Sequence, residues 1–280
     1  MHTIHRRRAL TPLVTEFVVE APLVAQAARA GQFVVVRLHA RGERIPLTLA
    51  DWDPQAGTVT LVVQQVGKTT QELGNQFGEG DALQDVVGPL GEPTETEKLG
   101  TVVCVAGGVG IAPIYPIARA LRAAGNRVVG IAGARSRDLL FWLDRLAAVT
   151  DELVVCTDDG SFGRKGLVTQ PLAEILAARQ VDRVWAIGPA VMMKFCSLTC
   201  QKQEVPIIVS LNPIMVDGTG MCGACRVEVD GQVRFACVEG PEFRGERVNW
   251  DLLIARLAAY RDQEKCALDR YREAMEEATR

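Results

Sequence analysis

Thr101-Val-Val-Cys-Val-Ala-Gly107-Gly-Val-Gly110-Ile-Ala-Pro113 decides the fold. An apolar, β-branched run meets a glycine-rich turn, and a helical stretch, Ile114 to Ala124, follows. A second apolar run, Arg127-Val-Val-Gly-Ile-Ala, closes one strand–helix–strand unit. Leu153-Val-Val-Cys, Arg183-Val-Trp-Ala-Ile and Ile207-Ile-Val-Ser repeat the strand signature. Strands alternating with helices predict a doubly wound parallel sheet over residues 97–210. Within the turn, Gly107, Gly108, Gly110, Ala112 and Pro113 are candidate nucleotide contacts. Bare glycine backbone lets amides approach a pyrophosphate, and a helix N-terminus adds partial positive charge. The alternative is a plain tight connection. The spacing is not G-x-G-x-x-G, and no Asp or Glu closes the second strand. Arg135-Ser-Arg137 stands there instead, which suits a 2′-phosphate or a solvated basic loop. Two further strand ends carry candidates. Asp158 and Asp159 could hold a ribose or make a turn, and Gly188-Pro189-Ala-Val-Met192-Met193 opens the next helix.

Residues 1–96 read as all-β, because Phe33-Val-Val-Val-Arg-Leu and Thr58-Val-Thr-Leu-Val-Val are separated by Gly, Pro and Asp turns. A small antiparallel barrel is expected, giving an α/β plus all-β chain. Arg44-Ile-Pro46-Leu47-Thr48 offers a guanidinium and a hydroxyl to a diphosphate. Gly67-Lys68-Thr69-Thr70 opens a short helix, either as an anion cradle or as a helix cap.

Residues 211–248 hold Asp217-Gly-Thr-Gly-Met-Cys222-Gly-Ala-Cys225, with Cys237 following. The pattern D-x4-C-x2-C-x11-C matches the spacing of a [2Fe–2S] loop with its first cysteine replaced by aspartate. Three thiolates and a carboxylate complete the four ligands that two irons need. Structural zinc, or cysteines that merely pack, is the alternative, although zinc ligands usually come as two close pairs. Among the remaining cysteines, Cys104 and Cys156 are expected in the core, Cys196 and Cys200 on one helix, and Cys266 exposed.

The chain has 280 residues and a net charge of −3, which gives a nucleic-acid role no electrostatic support. Leu99 to Ala118 is uncharged, but four glycines and two prolines argue against a membrane span. The first residues lead into no apolar segment of signal type, so a cytoplasmic protein is expected. His2, His5 and His39 lie near no hydrolytic serine or cysteine pattern. Residues 249–280 read as a polar helical tail.

Taken together, these segments resemble the ferredoxin–NADP reductase superfamily. Arg44 to Thr48 looks like its flavin motif and Gly67 to Thr70 like its second flavin-phosphate segment. Gly107 to Pro113 looks like its nicotinamide motif, and Gly188 to Met193 like its late segment. Ser210 to Cys225 and Phe235 to Phe243 narrow the resemblance over residues 1–253. They are similar to small subunits of NADH-dependent ferredoxin–NADP oxidoreductase, also known as sulfide dehydrogenase small subunits. Electron-transfer subunits of dihydroorotate dehydrogenase B are more distant, since four cysteines hold their cluster. The resemblance implies FAD in the barrel, with Val63 among its contacts, and NAD(H) or NADP(H) on the sheet. It places a [2Fe–2S] cluster on Asp217, Cys222, Cys225 and Cys237. It also implies a larger partner subunit with a second FAD and [4Fe–4S] clusters, which reaches ferredoxin indirectly and in some members bifurcates electrons. No catalytic acid or base is implied. A dihydroorotate or sulfide dehydrogenase complex, or a zinc-containing scaffold, stands as the alternative.

Overall fold

The computed structural model describes residues 1–279. The first seven strands form one antiparallel sheet curled into a barrel. They are β1 (His2–Thr11), β2 (Val14–Glu20), β3 (Phe33–Arg37), β4 (Arg44–Asp53), β5 (Thr58–Gln64), β6 (Ala82–Leu83) and β7 (Asp85–Leu90). Their spatial order is β6-β1-β2-β5-β4-β3-β7. Alternation along each strand sends Phe17, Val34, Val36, Leu49, Leu61 and Val63 inward. Helix α1 (Pro22–Ala27) and helix α2 (Lys68–Gln76) cover the barrel, with Leu73 of α2 fully buried. Arg6 and Arg7, in the basic run of β1, are tied down by Glu16 and by the Gly74 carbonyl.

The second sheet has the order β11-β10-β9-β8-β12-β13-β16. Its parallel strands are β8 (Thr101–Gly107), β9 (Arg127–Ala134), β10 (Glu152–Thr157), β11 (Arg164–Lys165), β12 (Arg183–Ile187) and β13 (Ile207–Ser210). Helices α3 (Ile111–Ala123) and α4 (Leu143–Ala148) bury Ile114, Ile117, Leu121 and Leu146 against Val102, Cys104 and Trp185. Helices α5 (Thr169–Ala178) and α6 (Ala190–Lys202) bury Leu172, Ile175, Cys196 and Cys200 on the opposite face, against Val103 and Val105. Helices on both faces explain why β8 is apolar and buried at every position after Thr101 rather than at alternate ones.

The sheet does not stop at residue 210. After the hairpin β14 (Arg226–Val229) and β15 (Gln232–Phe235), the chain returns as β16 (Glu242–Arg244) and pairs antiparallel with β13. An open edge of β13 would leave unpaired amides and carbonyls, and β16 supplies their partners. Cys225, Val227, Ala236 and Cys237 therefore share one core with α5 and α6. Helix α7 (Trp250–Leu257) is capped by Asn249, whose side chain accepts from the Leu252 amide at 3.1 Å. Helix α8 (Arg261–Thr279) then reaches back to the barrel. Arg272 donates to Gln71 and Gln76 donates to Tyr271, both at 3.3 Å. Among the described residues, no helix is long and apolar enough to cross a membrane.

Glu242 closes the junction of the three regions. The residue as a whole is only partly buried, but its carboxyl group is enclosed. It accepts from Thr94 Oγ1 at 2.7 Å and Trp185 Nε1 at 3.4 Å. Burial pushes its pKa from 4.5 to about 7, against those two hydrogen bonds. Between these values the folded chain keeps a proton that the unfolded chain has lost. Its contribution is therefore full below pH 4.5 and is lost as pH rises through 7, by at most about 3 kcal/mol. Glu242→Gln is expected to flatten the difference in unfolding free energy between pH 5 and pH 8. Denaturant titration checks this, and an undiminished difference in the variant would assign the effect to other groups.

Candidate functional site

The barrel and the second sheet face each other across a cavity of about 850 Å³, a size common for small-molecule sites. On the sheet side it is lined by the carboxyl ends of the parallel strands and the turns that follow: Gly107 to Gly110, Gly133 to Arg135, Asp158, and Ile187 to Pro189. Ligands of open α/β sheets bind at this edge, because the helix N-termini that follow the strands converge there. Gly108–Gly110 form one 3₁₀ turn that runs directly into α3. The turn must approach β12 closely: a Cβ on Gly110 would lie 2.1 Å from the Ile187 carbonyl oxygen. Met192 also lines the cavity, so the two glycine motifs separated in sequence form one wall. Ala112 and Pro113 complete it.

The barrel side is formed by Pro46, Leu47 and Thr48 of β4, Val62 and Gln64 of β5, Phe33 of β3, and Thr70 of α2. Several expected contacts lie elsewhere. Val63 points into the barrel core, because strand alternation gives the cavity its neighbours Val62 and Gln64. Arg44 is exposed and outside the cavity wall; Gly67 and Lys68, which are half-buried, and Thr69, which is buried, also lie outside it. Thr69 donates to Glu43, Lys68 lies 3.9 Å from the same carboxylate, and the Gly67 amide donates to Thr70 Oγ1 at 3.0 Å. The α2 N-terminus thus caps itself, which is the helix-cap reading of that segment. Asp159 accepts from the amide and hydroxyl of Ser161 in a closed turn, and only Asp158 faces the cavity. The Ser161 hydroxyl, and then its amide, hold the Asp159 carboxyl below its usual range. Arg135 lines the cavity; Arg137 does not, and instead stacks 5.4 Å over Phe162.

Sequence reasoning missed the linker. Ser210, Leu211, Asn212 and Met215 line the cavity, and two residues later comes Asp217. No motif marks them. Their signal is positional, since they continue a buried strand past its carboxyl end. Gly218, at φ +77°, tucks this segment against the barrel, where a Cβ would lie 2.6 Å from Leu90 and 3.1 Å from Val35.

The four candidate ligands fall into two pairs, with Cys225 and Cys237 on either side of the β14–β15 hairpin. Asp217 accepts from the amides of Thr219 and Cys222, each at 2.9 Å, and the Thr219 bond foremost holds its carboxyl below the usual range. Cys225 and Cys237 are buried with their sulfurs 3.1 Å apart. Burial, then the Cys225 thiol, pushes Cys237 up to about 12, while the Gly220 amide donates to its sulfur. Cys222 is exposed at the loop tip. Among the described residues, no three His, Cys, Asp or Glu side chains are grouped closely enough to hold a single metal ion. Two donor pairs in a loop with inward amides nonetheless fit a two-iron cluster, which takes one pair per iron and amide hydrogen bonds to sulfur.

A barrel joined to a doubly wound sheet, a cavity between them and a cysteine loop beside it define an electron-transfer protein of ferredoxin-reductase type. Residues 212–249 match the family model described as the iron–sulfur cluster binding domain of dihydroorotate dehydrogenase B. A Thermotoga maritima protein described as a dihydroorotate dehydrogenase B (NAD⁺) electron transfer subunit homolog is 56% identical over 258 residues, 92% of this chain and 91% of its own. The electron transfer subunit of that enzyme from Bacillus caldolyticus is 34% identical, over 88% of this chain and 96% of its own. The chain belongs to the family of dihydroorotate dehydrogenase B electron-transfer subunits and their homologues. It is also similar to a solved structure of an NADH-dependent reduced ferredoxin–NADP oxidoreductase, studied for flavin-based electron bifurcation. That similarity has a TM-score of 0.92 at 53% identity, over 97% of this chain and 98% of the other. An Amycolatopsis cytochrome P450 reductase, 23% identical over 72% of this chain and 65% of its own with a TM-score of 0.63, shares the fold. The iron–sulfur match decides against the zinc alternative for the cysteine loop.

Gly110→Ala is expected to destabilise the protein by about 1–3 kcal/mol, as overpacking does where backbone cannot yield. Urea unfolding measures it, and a stability equal to that of the parent would show that β12 moves aside freely.

Proposed function

We propose that this chain is the nucleotide-side subunit of a larger oxidoreductase. In this reading it accepts reducing equivalents from NADH, converts them to single electrons on FAD, and exports them through a [2Fe–2S] cluster to a partner carrying further redox centres. One observation carries the reading: the segment from Ser210 to Met215 lines the cavity and runs directly into Asp217. Cavity and cluster loop are thus consecutive stations on one stretch of chain.

A flavin supplies the exchange between two-electron and one-electron chemistry that neither a nicotinamide nor a cluster provides alone. Pro46, Leu47 and Thr48 would hold it on the barrel wall, with Thr48 and Gln64 as its polar partners and Phe33 and Val62 as apolar ones. The backbone of the Gly107–Gly110 turn at the head of α3 would bind the nucleotide pyrophosphate. Met192, Val191 and Phe195 add apolar surface to the cavity wall. Asp217 with Cys222, and Cys225 with Cys237, would each hold one iron. For the nucleotide, Asp158 in the cavity wall opposes the 2′-phosphate that Arg135 on the same wall would attract, and Arg137 is engaged with Phe162 rather than with the cavity. The NAD⁺ in the name of the Thermotoga maritima relative favours NADH, while the name of the solved structure carries both NADH and NADP. Electron bifurcation depends on the partner, which a pull-down from native cells would identify.

Anaerobically purified protein is expected to show flavin and iron–sulfur absorbance that NADH bleaches and NADPH bleaches at least about tenfold more slowly, a difference of roughly 1.4 kcal/mol in barrier. A colourless protein that neither flavin nor iron reconstitutes would remove the reading. Asp217→Ala is expected to lower iron and sulfide content and abolish the cluster's electron paramagnetic resonance signal, while bound flavin and its bleaching by NADH persist. An intact cluster in that variant would take Asp217 out of the ligand set.

A further inference from the structure

Behind the cavity, on the outer surface where barrel and sheet meet, five side chains form an alternating stack of rings and guanidinium groups. Trp52 of β4 comes first, with the Arg119 guanidinium 5.3 Å from its ring centre. Arg119 also lies 5.2 Å from the Tyr115 ring, which itself meets Trp142 edge-on at 5.6 Å. Arg145 of α4 follows, 4.7 Å from Tyr115 and 4.1 Å from Trp142. Such contacts attract because the ring face is electron-rich, and planar guanidinium groups stack on it where an ammonium would not.

Two carboxylates from the barrel fasten this stack. Asp51 of β4 accepts from Arg119 Nη1 at 2.8 Å and from Arg145 Nη2. Glu16 of β2, with a side chain only 3% exposed, accepts from Trp142 Nε1 at 3.1 Å and lies 3.9 Å from Arg145. Trp142 holds φ at +52°, a left-handed conformation that a bulky side chain rarely adopts, so the surrounding contacts must hold it there. Sequence gives no sign of the arrangement, because its members come from β2, β4, α3 and α4.

Helix α3 makes the stack consequential. The 3₁₀ turn that runs into it carries glycines of the cavity wall and its own first turn adds Ala112 and Pro113, while Tyr115 and Arg119 lie on the same helix one to two turns further along. Asp51 lies on β4 three residues after Thr48, which lines the opposite wall. The stack therefore ties both walls together through two short, stiff elements. We propose that Tyr115, Arg119 and Arg145 are positioning residues: with Asp51 and Glu16 they fix the separation between the nucleotide wall on α3 and the flavin wall on β4. None of the five lines the cavity, and they act by preventing the two domains from rocking apart. Transfer between bound groups is sensitive to errors of about 1 Å, so loosening this tie lowers the rate of the transfer step rather than nucleotide affinity.

The proposal rests on the function proposed above. The test uses the purified holoprotein and three variants. Tyr115→Leu removes the central ring, and Arg145→Lys keeps the charge beside Asp51 but loses the planar stacking group. Arg164→Met is the control, breaking the exposed pair between β11 and Glu174 on α5. Stopped-flow bleaching of the flavin gives the limiting rate at saturating NADH and the concentration for half-maximal rate. Amide hydrogen exchange over residues 45–53 and 111–120 reports the interface without reference to activity.

The expected result for Tyr115→Leu and Arg145→Lys is a limiting rate reduced about tenfold, half-saturation within about twofold of the parent, and faster exchange in both segments. The control is expected to behave as the parent does. A raised half-saturation with an unchanged limiting rate overturns the proposal, as do exchange and limiting rate equal to the control. Should Tyr115→Leu fail to fold, Arg145→Lys decides alone by the same criteria. Should neither NADH nor NADPH bleach the parent flavin, the proposed function fails. Exchange then decides on the tie: acceleration in the stack variants but not in the control sustains it, and its absence removes it.

Discussion

The pairing of β16 with β13 is the contact on which the rest of the arrangement depends. Three register pairs, from Ile208↔Arg244 to Ser210↔Glu242, return the chain to the sheet after an excursion through the cysteine loop. Without them the cysteine segment would be a tethered appendage, free to sample many distances from the cavity. With them Cys225 and Cys237 are built into the same core as α5 and α6, and Ser210 is held as cavity wall. Edge-strand pairing usually protects a sheet against aggregation. In the proposed function it would also hold the cysteine segment at a fixed, short distance from the cavity.

The rigidity is assembled from several small contacts of different kinds. Gly218 lets the loop backbone lie against Leu90 and Val35, a packing contact between the cysteine segment and the barrel. Thr94, Trp185 and Glu242 add a polar one at the junction of the two sheets. The stack from Trp52 to Trp142 supplies a cationic and aromatic one on the outer surface. Barrel, sheet and cysteine loop are thus joined in pairs at separate points. Fixing three points between bodies removes their relative rotations, which a single contact cannot do.

Much of this was legible in the sequence. Strand–turn–helix alternation gave the parallel sheet, because a β-branched run that ends in glycines has few other solutions. The spacing from Asp217 to Cys237 named the cysteine loop, since ligand geometry restricts which residues can stand there. Thr48, Gly108, Asp158 and Met192 do reach the cavity. Side-chain direction was less legible. Val63 and Val62 are indistinguishable in a β-branched run until register chooses a face. Lys68, Thr69 and Asp159 are polar residues at helix or strand ends, yet local partners absorb them. Sequence also could not show that β16 would complete the sheet, because three residues carry too little pattern. Nor could it assemble a stack drawn from four separate elements.

Helix α8 closes the chain on its own beginning. Gln76 and Tyr271 are 195 residues apart, yet they meet on the surface of the barrel. The barrel is made before the sheet and the cysteine loop, and its strands can pair as soon as they emerge. Its α2 face, however, stays bare until the sheet, the cysteine loop and α7 have all been synthesised. At about 5–20 residues per second that interval is on the order of 10–40 s. During that time the barrel's outer helix is covered only by solvent or by whatever binds nascent chains. Order of synthesis and order of completion therefore run in opposite directions at this one face.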